Sequence, residues 1–302
     1  MSKLIDNFSI SFGSKKIDIK KKLNASFSKK KTFEILKKTG PKFLKICSDK
    51  EDSLSIAIKS FKKLKYKKET IKNLIFVTET PLMKFPGNSF LFASKLNFKK
   101  NINMFDLNAG CSGFIDALKI AKNLNGNSLI VCSETYSKNI GKFNRSLSTL
   151  FADGAASFLF EKKKIKILKY ETVYEKDSSK YLCQENNKNM SMNGSKVFSF
   201  VAAEVLPIII KFINNNKNKK IKKIYLHQGS KYVCDYLEKK LKNFKIDIPS
   251  NIINRGNLVS ATIPILIHDD LKKKKLKKND MIILCGFGVG LTCSIMLLKV
   301  YE

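Results

Sequence analysis

The sequence predicts an α/β protein with a largely covered sheet, and three observations carry that prediction. Short apolar runs alternate with amphipathic segments along the chain, the alternation persists through both halves, and no Gly/Ser/Pro-rich linker separates independent domains. At 302 residues the chain can bury a large core, either as one big domain or as two intimate halves.

The elements follow in order. Ile75 to Thr78, Met104 to Leu107, Leu129 to Cys132, Ala156 to Phe160, Ile224 to His227, Met281 to Cys285 and Cys293 to Leu298 are the clearest strands. Between them lie amphipathic segments near 51–64, 111–125, 196–214, 230–242 and 260–276. In the second of these, Phe114, Ala117, Leu118, Ala121 and Leu124 keep helical spacing. The lysine- and asparagine-rich stretches at 176–189 and 214–220 read as surface loops. Each half also contains a strand that runs into a small polar turn and then a helix, once at Cys111 and once at His227, which hints at an internal duplication.

Composition excludes several classes. The formal net charge is +33, yet it is nearly all lysine, with arginine only at Arg145 and Arg255. The lysines scatter through every segment, and aromatic residues do not interleave with them as a base-stacking platform requires, so nucleic acid is not an expected partner. A positive surface still steers acidic partners toward it. The seven cysteines show no C-x-x-C spacing and no early segment reads as a secretory signal, so a reduced, cytoplasmic protein is expected. The longest apolar run, Ala202 to Ile213, holds Glu204 and Lys211 and falls short of the roughly 20 residues of a membrane span, so no membrane is expected.

Residues 104–118, Met-Phe-Asp-Leu-Asn-Ala-Gly-Cys-Ser-Gly-Phe-Ile-Asp-Ala-Leu, set one cysteine between small residues where a strand becomes a helix. Free backbone N–H groups and the dipole at a helix N-terminus favour thiolate over thiol, which makes Cys111 a candidate nucleophile. Gly110 and Gly113 leave room beside the sulfur. A buried structural cysteine is the alternative. His227 ends an apolar strand, so its ring should project from the carboxyl end of the sheet, where α/β proteins place their sites. His268 reads as a solvated helix position. Asn257, in Asn254-Arg-Gly-Asn-Leu-Val-Ser-Ala-Thr-Ile-Pro264, reads as a loop cap. Cys285-Gly-Phe-Gly-Val-Gly-Leu-Thr is a glycine-rich turn between strands, and its open N–H groups suit a developing oxyanion.

Taken together, these segments resemble the β-ketoacyl-acyl-carrier-protein synthase III family, condensing enzymes of the thiolase superfamily. Lys38-Thr-Gly-Pro resembles the family's basic-Thr-Gly-Ile turn, and Phe85-Pro86 its Phe-Pro at an acyl pocket. Asn144-Arg-Ser-Leu-Ser-Thr-Leu-Phe-Ala-Asp-Gly-Ala-Ala resembles its Asp-Arg and Phe-Gly-Asp-Gly-Ala block, and Met192-Asn-Gly-Ser-Lys-Val-Phe the motif that opens its second half.

The resemblance implies a thiolase fold, five layers in the order αβαβα from two similar halves, 1–164 and 165–302, working as a homodimer. It implies an acyl-cysteine at Cys111 formed from an acyl-coenzyme A, with His227 and Asn257 as its partners, then decarboxylating condensation with a malonyl-acyl carrier protein. The oxyanion would lie between the backbone N–H groups of Cys111 and Val289. Substrate contacts fall on Lys38, Phe85, Arg145, Gly194, Ser230, Gly288 and Gly290, with coenzyme A as substrate and no bound cofactor or metal. Elongating relatives use two histidines and thiolases a Gly-His-Pro turn, whereas this chain has a single histidine in a suitable motif and reads Ala261-Thr-Ile-Pro264. The priming, cysteine–histidine–asparagine type fits best. There are departures: no tryptophan for stacking on adenine, Glu34 six before Gly40, Ser230 for the usual asparagine, and Leu258 for the usual threonine. Two other readings compete, an acyltransferase of a sugar-modification or secondary-metabolite pathway and an inactive partner subunit. If the helix terminus activates the thiol, His227→Ala spares acylation more than condensation.

Overall fold

The computed structural model describes residues 3–66, 68–141, 144, 147–185 and 188–301. Its principal strands are β1 (Phe8–Phe12), β2 (Ile71–Val77), β3 (Asn103–Leu107), β4 (Asn127–Glu134), β5 (Gly154–Phe160), β6 (Ile165–Tyr174), β7 (Ile221–Leu226), β8 (Met281–Gly288) and β9 (Thr292–Val300). The principal helices are α1 (Lys29–Thr39), α2 (Ser53–Phe61), α3 (Asn88–Lys95), α4 (Gly113–Asn123), α5 (Gly194–Phe200), α6 (Leu206–Asn214), α7 (Lys231–Leu241) and α8 (Thr262–Lys272).

Two sheets result. The first runs β1-β5-β4-β2-β3, with β2 parallel to both β3 and β4, and β5 antiparallel to β4 and β1. The second runs β7-β8-β9-β6, with β7 parallel to β8 and the remaining pairs antiparallel. All strands of the first sheet precede residue 161, and all strands of the second follow residue 164.

The two sheets sandwich α4 and α8. Helix α4 buries Phe114, Ile115, Ala117, Leu118 and Ala121 and packs on β2 and β4 from one side and on β8 and β9 from the other. A helix apolar around so much of its circumference is stable only between two covered surfaces. Helices α2 and α3 cover the outer face of the first sheet. The outer face of the second is covered by α6 and α7, whose Ile209, Phe212 and Leu237 share a core with Ile224, Ile283 and Ile295. Five layers follow, αβαβα. Local chemistry sets the helix starts: Asp52 and Ser55 form a capping box on α2, and the Ser230 hydroxyl accepts from the Val233 N–H at 3.3 Å to cap α7.

Matching the strands of one sheet to the other (β2, β4, β5, β1 against β7, β8, β9, β6) corrects the hint of duplication. The counterpart of the one-turn helix Gly110–Ser112 before α4 is the one-turn helix Val259–Ala261 before α8, not the turn at His227. The helical stretch Gly194–Asn214 extends the apolar run Ala202 to Ile213 at its N-terminal side. It is 21 residues long with mean hydropathy 1.8, long and apolar enough to cross a membrane by length and composition. A π-helical turn, Val201–Val205, lets three helical pieces run on as one despite Glu204. Its Phe200, Val201, Val205, Ile208, Ile209, Phe212 and Ile213 are nonetheless buried in the core around the second sheet. His268 is likewise corrected: its side chain is largely buried beside Asp269, with Nδ1 3.8 Å from that carboxylate.

Candidate active site

The turn after β3, the carboxyl ends of β4 and β7 and the β8–β9 connection converge on one cavity of about 730 Å³, lined by Cys111, Tyr136, His227, Asn257, Gly288 and Val289 among others. That volume lies within the usual range of small-molecule sites. Three distant parts of the chain therefore meet there, the turn before α4, the end of β7 and the turn before α8.

Cys111 lies in the one-turn helix that leads into α4, and it is buried. The backbone around it is close-packed. A Cβ on Gly286 would stand 2.6 Å from the Cys111 carbonyl oxygen, and one on Gly288 would stand 2.8 Å from its sulfur. Only glycine admits the strand β8 so near the thiol. The expectation that the helix terminus favours thiolate is overturned. Burial, then the nearby Glu79 and Glu134, push the Cys111 thiol well above the usual cysteine range, and the N–H groups of Val289 and of Cys111 itself, both directed at the sulfur, only partly offset this. These surroundings favour the thiol over the thiolate.

His227 is buried, and its backbone N–H donates to Cys285 O at 2.9 Å, which ties the residue to β8. Its ring stands edge-on to Phe287, with centroids 5.5 Å apart. Burial lowers its pKa to about 3, so the imidazole is neutral, and Nδ1 has no hydrogen-bond partner among the described residues. Asn257 is held at both ends of its amide. Oδ1 accepts from the Val259 N–H at 2.9 Å and Nδ2 donates to Gly229 O at 3.2 Å, leaving one Nδ2 hydrogen for the cavity. The loop-cap reading and a place in the cavity wall both describe it.

The other sequence-predicted residues divide. Lys38, Gly194, Ser230 and Gly288 line the cavity, with Ser230 also serving as the α7 cap. Gly290 does not line it; at φ +130° it turns the chain between β8 and β9. Phe85 is 83% exposed and also stands outside the cavity, because its loop between β2 and α3 leaves the body of the chain. Arg145 falls outside the described residues.

Sequence reading missed an acidic group beside the sulfur. The Tyr136 hydroxyl donates to Glu79, whose carboxyl packs so that a Cβ on Gly110 would lie 2.8 and 2.9 Å from its two oxygens. Glu134, at the end of β4, accepts from Ser260 Oγ at 2.5 Å and from the Glu79 N–H at 3.1 Å. Burial raises both carboxyls well above the ordinary range. The signal was available in Thr78-Glu-Thr80 and Glu134, carboxylates where a buried strand ends.

Two stacked sheets of matching strand order, with a buried cysteine, histidine and asparagine brought to one cavity, describe the thiolase type of α/β fold. Residues 105–175 match the family described as 3-oxoacyl-[acyl-carrier-protein] synthase III, and residues 213–300 match its C-terminal part. The chain is 32% identical over 254 residues to a β-ketoacyl-[acyl-carrier-protein] synthase III of Clostridium perfringens (strain SM101 / Type A), covering 76% of this chain and 78% of that one. It is 31% identical over 284 residues to the corresponding protein of Clostridium novyi (strain NT), covering 85% and 87%. The crystal structure of 3-oxoacyl-[acyl-carrier-protein] synthase III from Aquifex aeolicus VF5 superposes with a TM-score of 0.85 at 25% identity, over 97% of this chain and 98% of that one. The chain belongs to the β-ketoacyl-acyl-carrier-protein synthase III family of acyl-transferring condensing enzymes.

Proposed function

We propose that the chain takes an acyl group from acyl-coenzyme A onto Cys111 and condenses it with a malonyl-acyl carrier protein, releasing carbon dioxide and a 3-oxoacyl thioester. The observation that carries this reading is the convergence of Cys111, His227 and Asn257 on one cavity, with the Val289 and Cys111 N–H groups aimed at the sulfur.

The chemistry follows from the protonation states. In acylation, thiol and thioester exchange: the S–H proton of Cys111 ends on the departing coenzyme A sulfur, so no net charge is created, and the neutral His227 ring can carry the proton between the two sulfurs. The tetrahedral oxyanion that forms on the way, on the carbon bonded to the sulfur, lies within reach of the two backbone donors beside that sulfur. In condensation, the malonyl C–C bond to carboxylate breaks and its electrons pass into an enolate. That charge needs donors that are not themselves acids, and a buried neutral imidazole N–H and the free Nδ2 hydrogen of Asn257 are such donors. The enolate carbon then attacks the acyl carbonyl, and Cys111 leaves as thiolate and takes a proton from solvent, the one net proton the decarboxylating condensation consumes.

Lys38 and the lysine-rich surface suit the phosphates of coenzyme A and an acidic carrier, and no cofactor or metal is required. A homodimer is part of the same proposal. Strand β3 is an open sheet edge, and Leu82, Met83, Phe85, Phe90 and Met104 leave apolar surface exposed around it, which a second copy would cover. A chain doing this chemistry works in the cytoplasm, where both thioesters are made.

The test is to supply acyl-coenzyme A with malonyl-acyl carrier protein and follow carbon dioxide and product. Acyl-dependent carbon dioxide release with a 3-oxoacyl-carrier product supports the reading. Acylation with no carbon dioxide release would favour plain acyl transfer, and neither would favour a subunit without activity.

A further inference from the structure

Behind the cavity wall stands an acid that the proposed reaction does not use. Tyr136 forms part of the wall, beside Phe151 with ring centroids 5.1 Å apart, and shares an apolar cluster with Cys111, Leu150 and Leu182. Behind its hydroxyl stands the Glu79 carboxyl, packed against Gly110, the residue before the nucleophile. Tyr136 is the only donor to that carboxyl among the described residues, and it reaches one of the two oxygens. Glu134 has four donors of its own, Ser260, Thr78, Thr80 and the Glu79 N–H, and belongs to the scaffold. A phenol and a carboxyl in an apolar wall are expensive to desolvate, and a purely alkyl substituent gives nothing in return.

We infer that Glu79 and Tyr136 are specificity residues for the acyl group, and that the preferred acyl thioester is short and carries a hydroxyl within reach of Tyr136. The inference rests on the proposed acylation of Cys111 and names the class of acyl donor for it. The phenol's own proton is committed to Glu79, so its oxygen offers lone pairs, and a hydroxyl on the substrate is the complementary donor. A hydroxyl can also accept, which keeps the match when Glu79 is protonated. An alkyl group of the same shape leaves the pair unmatched, and sites built for a hydroxyl discriminate strongly against analogues that lack one.

The test is a matched pair, 3-hydroxybutyryl-coenzyme A, both enantiomers, against 3-methylbutyryl-coenzyme A, in which a methyl replaces the hydroxyl. The rate of mass gain at Cys111 is followed at subsaturating thioester, with acetyl-coenzyme A as a separate arm. The wild type should load one hydroxy enantiomer roughly tenfold faster than the methyl analogue, and Tyr136→Phe and Glu79→Gln should each bring the ratio close to one. The ratio is internal to each variant, so it is insensitive to a lowered folded fraction. A wild-type ratio of one or below overturns the inference outright, even if neither variant folds. Loading by acetyl-coenzyme A with no hydroxyl preference overturns it while the proposed function stands. Absence of any adduct overturns both.

Discussion

Gly288 stands so close to Cys111 that a Cβ placed on it would fall 2.8 Å from the sulfur and 3.0 Å from the cysteine Cβ. Neither atom can retreat easily, because Gly286 on the same strand already lies against the Cys111 backbone. The β8 strand is thus a wall pressed onto the nucleophile. Gly288→Ala should displace the sulfur from its backbone donors and slow acylation by about a hundredfold, since a shift of an ångström at a reacting atom costs about that much. Circular dichroism would stay native while a mass time course records the loss; an unchanged rate would show that the wall yields.

Cys111 alkylation offers a second check, because its thiol is held up by burial and by Glu79 and Glu134. The thiolate fraction grows as pH rises toward the pKa, so iodoacetamide labelling of Cys111, read by peptide mapping, should keep rising through pH 9 with no plateau near neutrality. A plateau near pH 7 would restore the dipole-activated thiolate that sequence alone predicts. Glu79→Gln removes one of the two negative neighbours and should shift the profile toward lower pH.

His227→Ala and Asn257→Ala should both cost more in decarboxylation than in acylation. The reason is not a ready-made thiolate, which the buried site does not provide. Proton exchange between two thiols is balanced overall and can proceed without the imidazole, whereas an enolate has no substitute for a lost donor. Each variant should lose about 10²–10³ in carbon dioxide release from malonyl-carrier, with a smaller loss in acyl loading by mass. Equal losses in both half-reactions would count against this division.

Much of the fold was legible because covered strands and amphipathic helices leave strong periodic signals. Ile75, Leu129, Ile224 and Ile283 lie in β2, β4, β7 and β8, within the runs read as strands. What escaped had weak or conflicting local signals. Helix α1 is rich in lysine, and edge strand β6 alternates buried and exposed residues with several lysines among them. Within the site, Cys111 and His227 each carry a chemistry-bearing side chain just after a strand, so position flags them, whereas Asn257, after the short helix Ile252–Arg255, reads as a loop cap and enters only through the family resemblance. Glu79 and Tyr136 also follow strand ends, those of β2 and β4, but a glutamate after a strand and a lone tyrosine read as surface and core until the fold puts them together. Phe85 differs for the opposite reason: a Phe-Pro motif reads as pocket lining, yet the fold leaves Phe85 83% exposed and outside the cavity.

The exposed apolar surface near β3 gives the oligomer a direct test. Light scattering should report twice the chain mass for the wild type, and Met104→Asp, on the open edge, should shift it toward a single chain. A wild type that stays at one chain mass at micromolar concentration would refute the homodimer.

The central claim is that Cys111 becomes covalently acylated. Intact mass after incubation with a panel of acyl-coenzyme A and acyl-carrier thioesters tests it most directly. One acyl adduct on the wild type, mapped to Cys111 and absent from Cys111→Ala, is the predicted result; no adduct from any thioester, or the same adduct on Cys111→Ala, would contradict it.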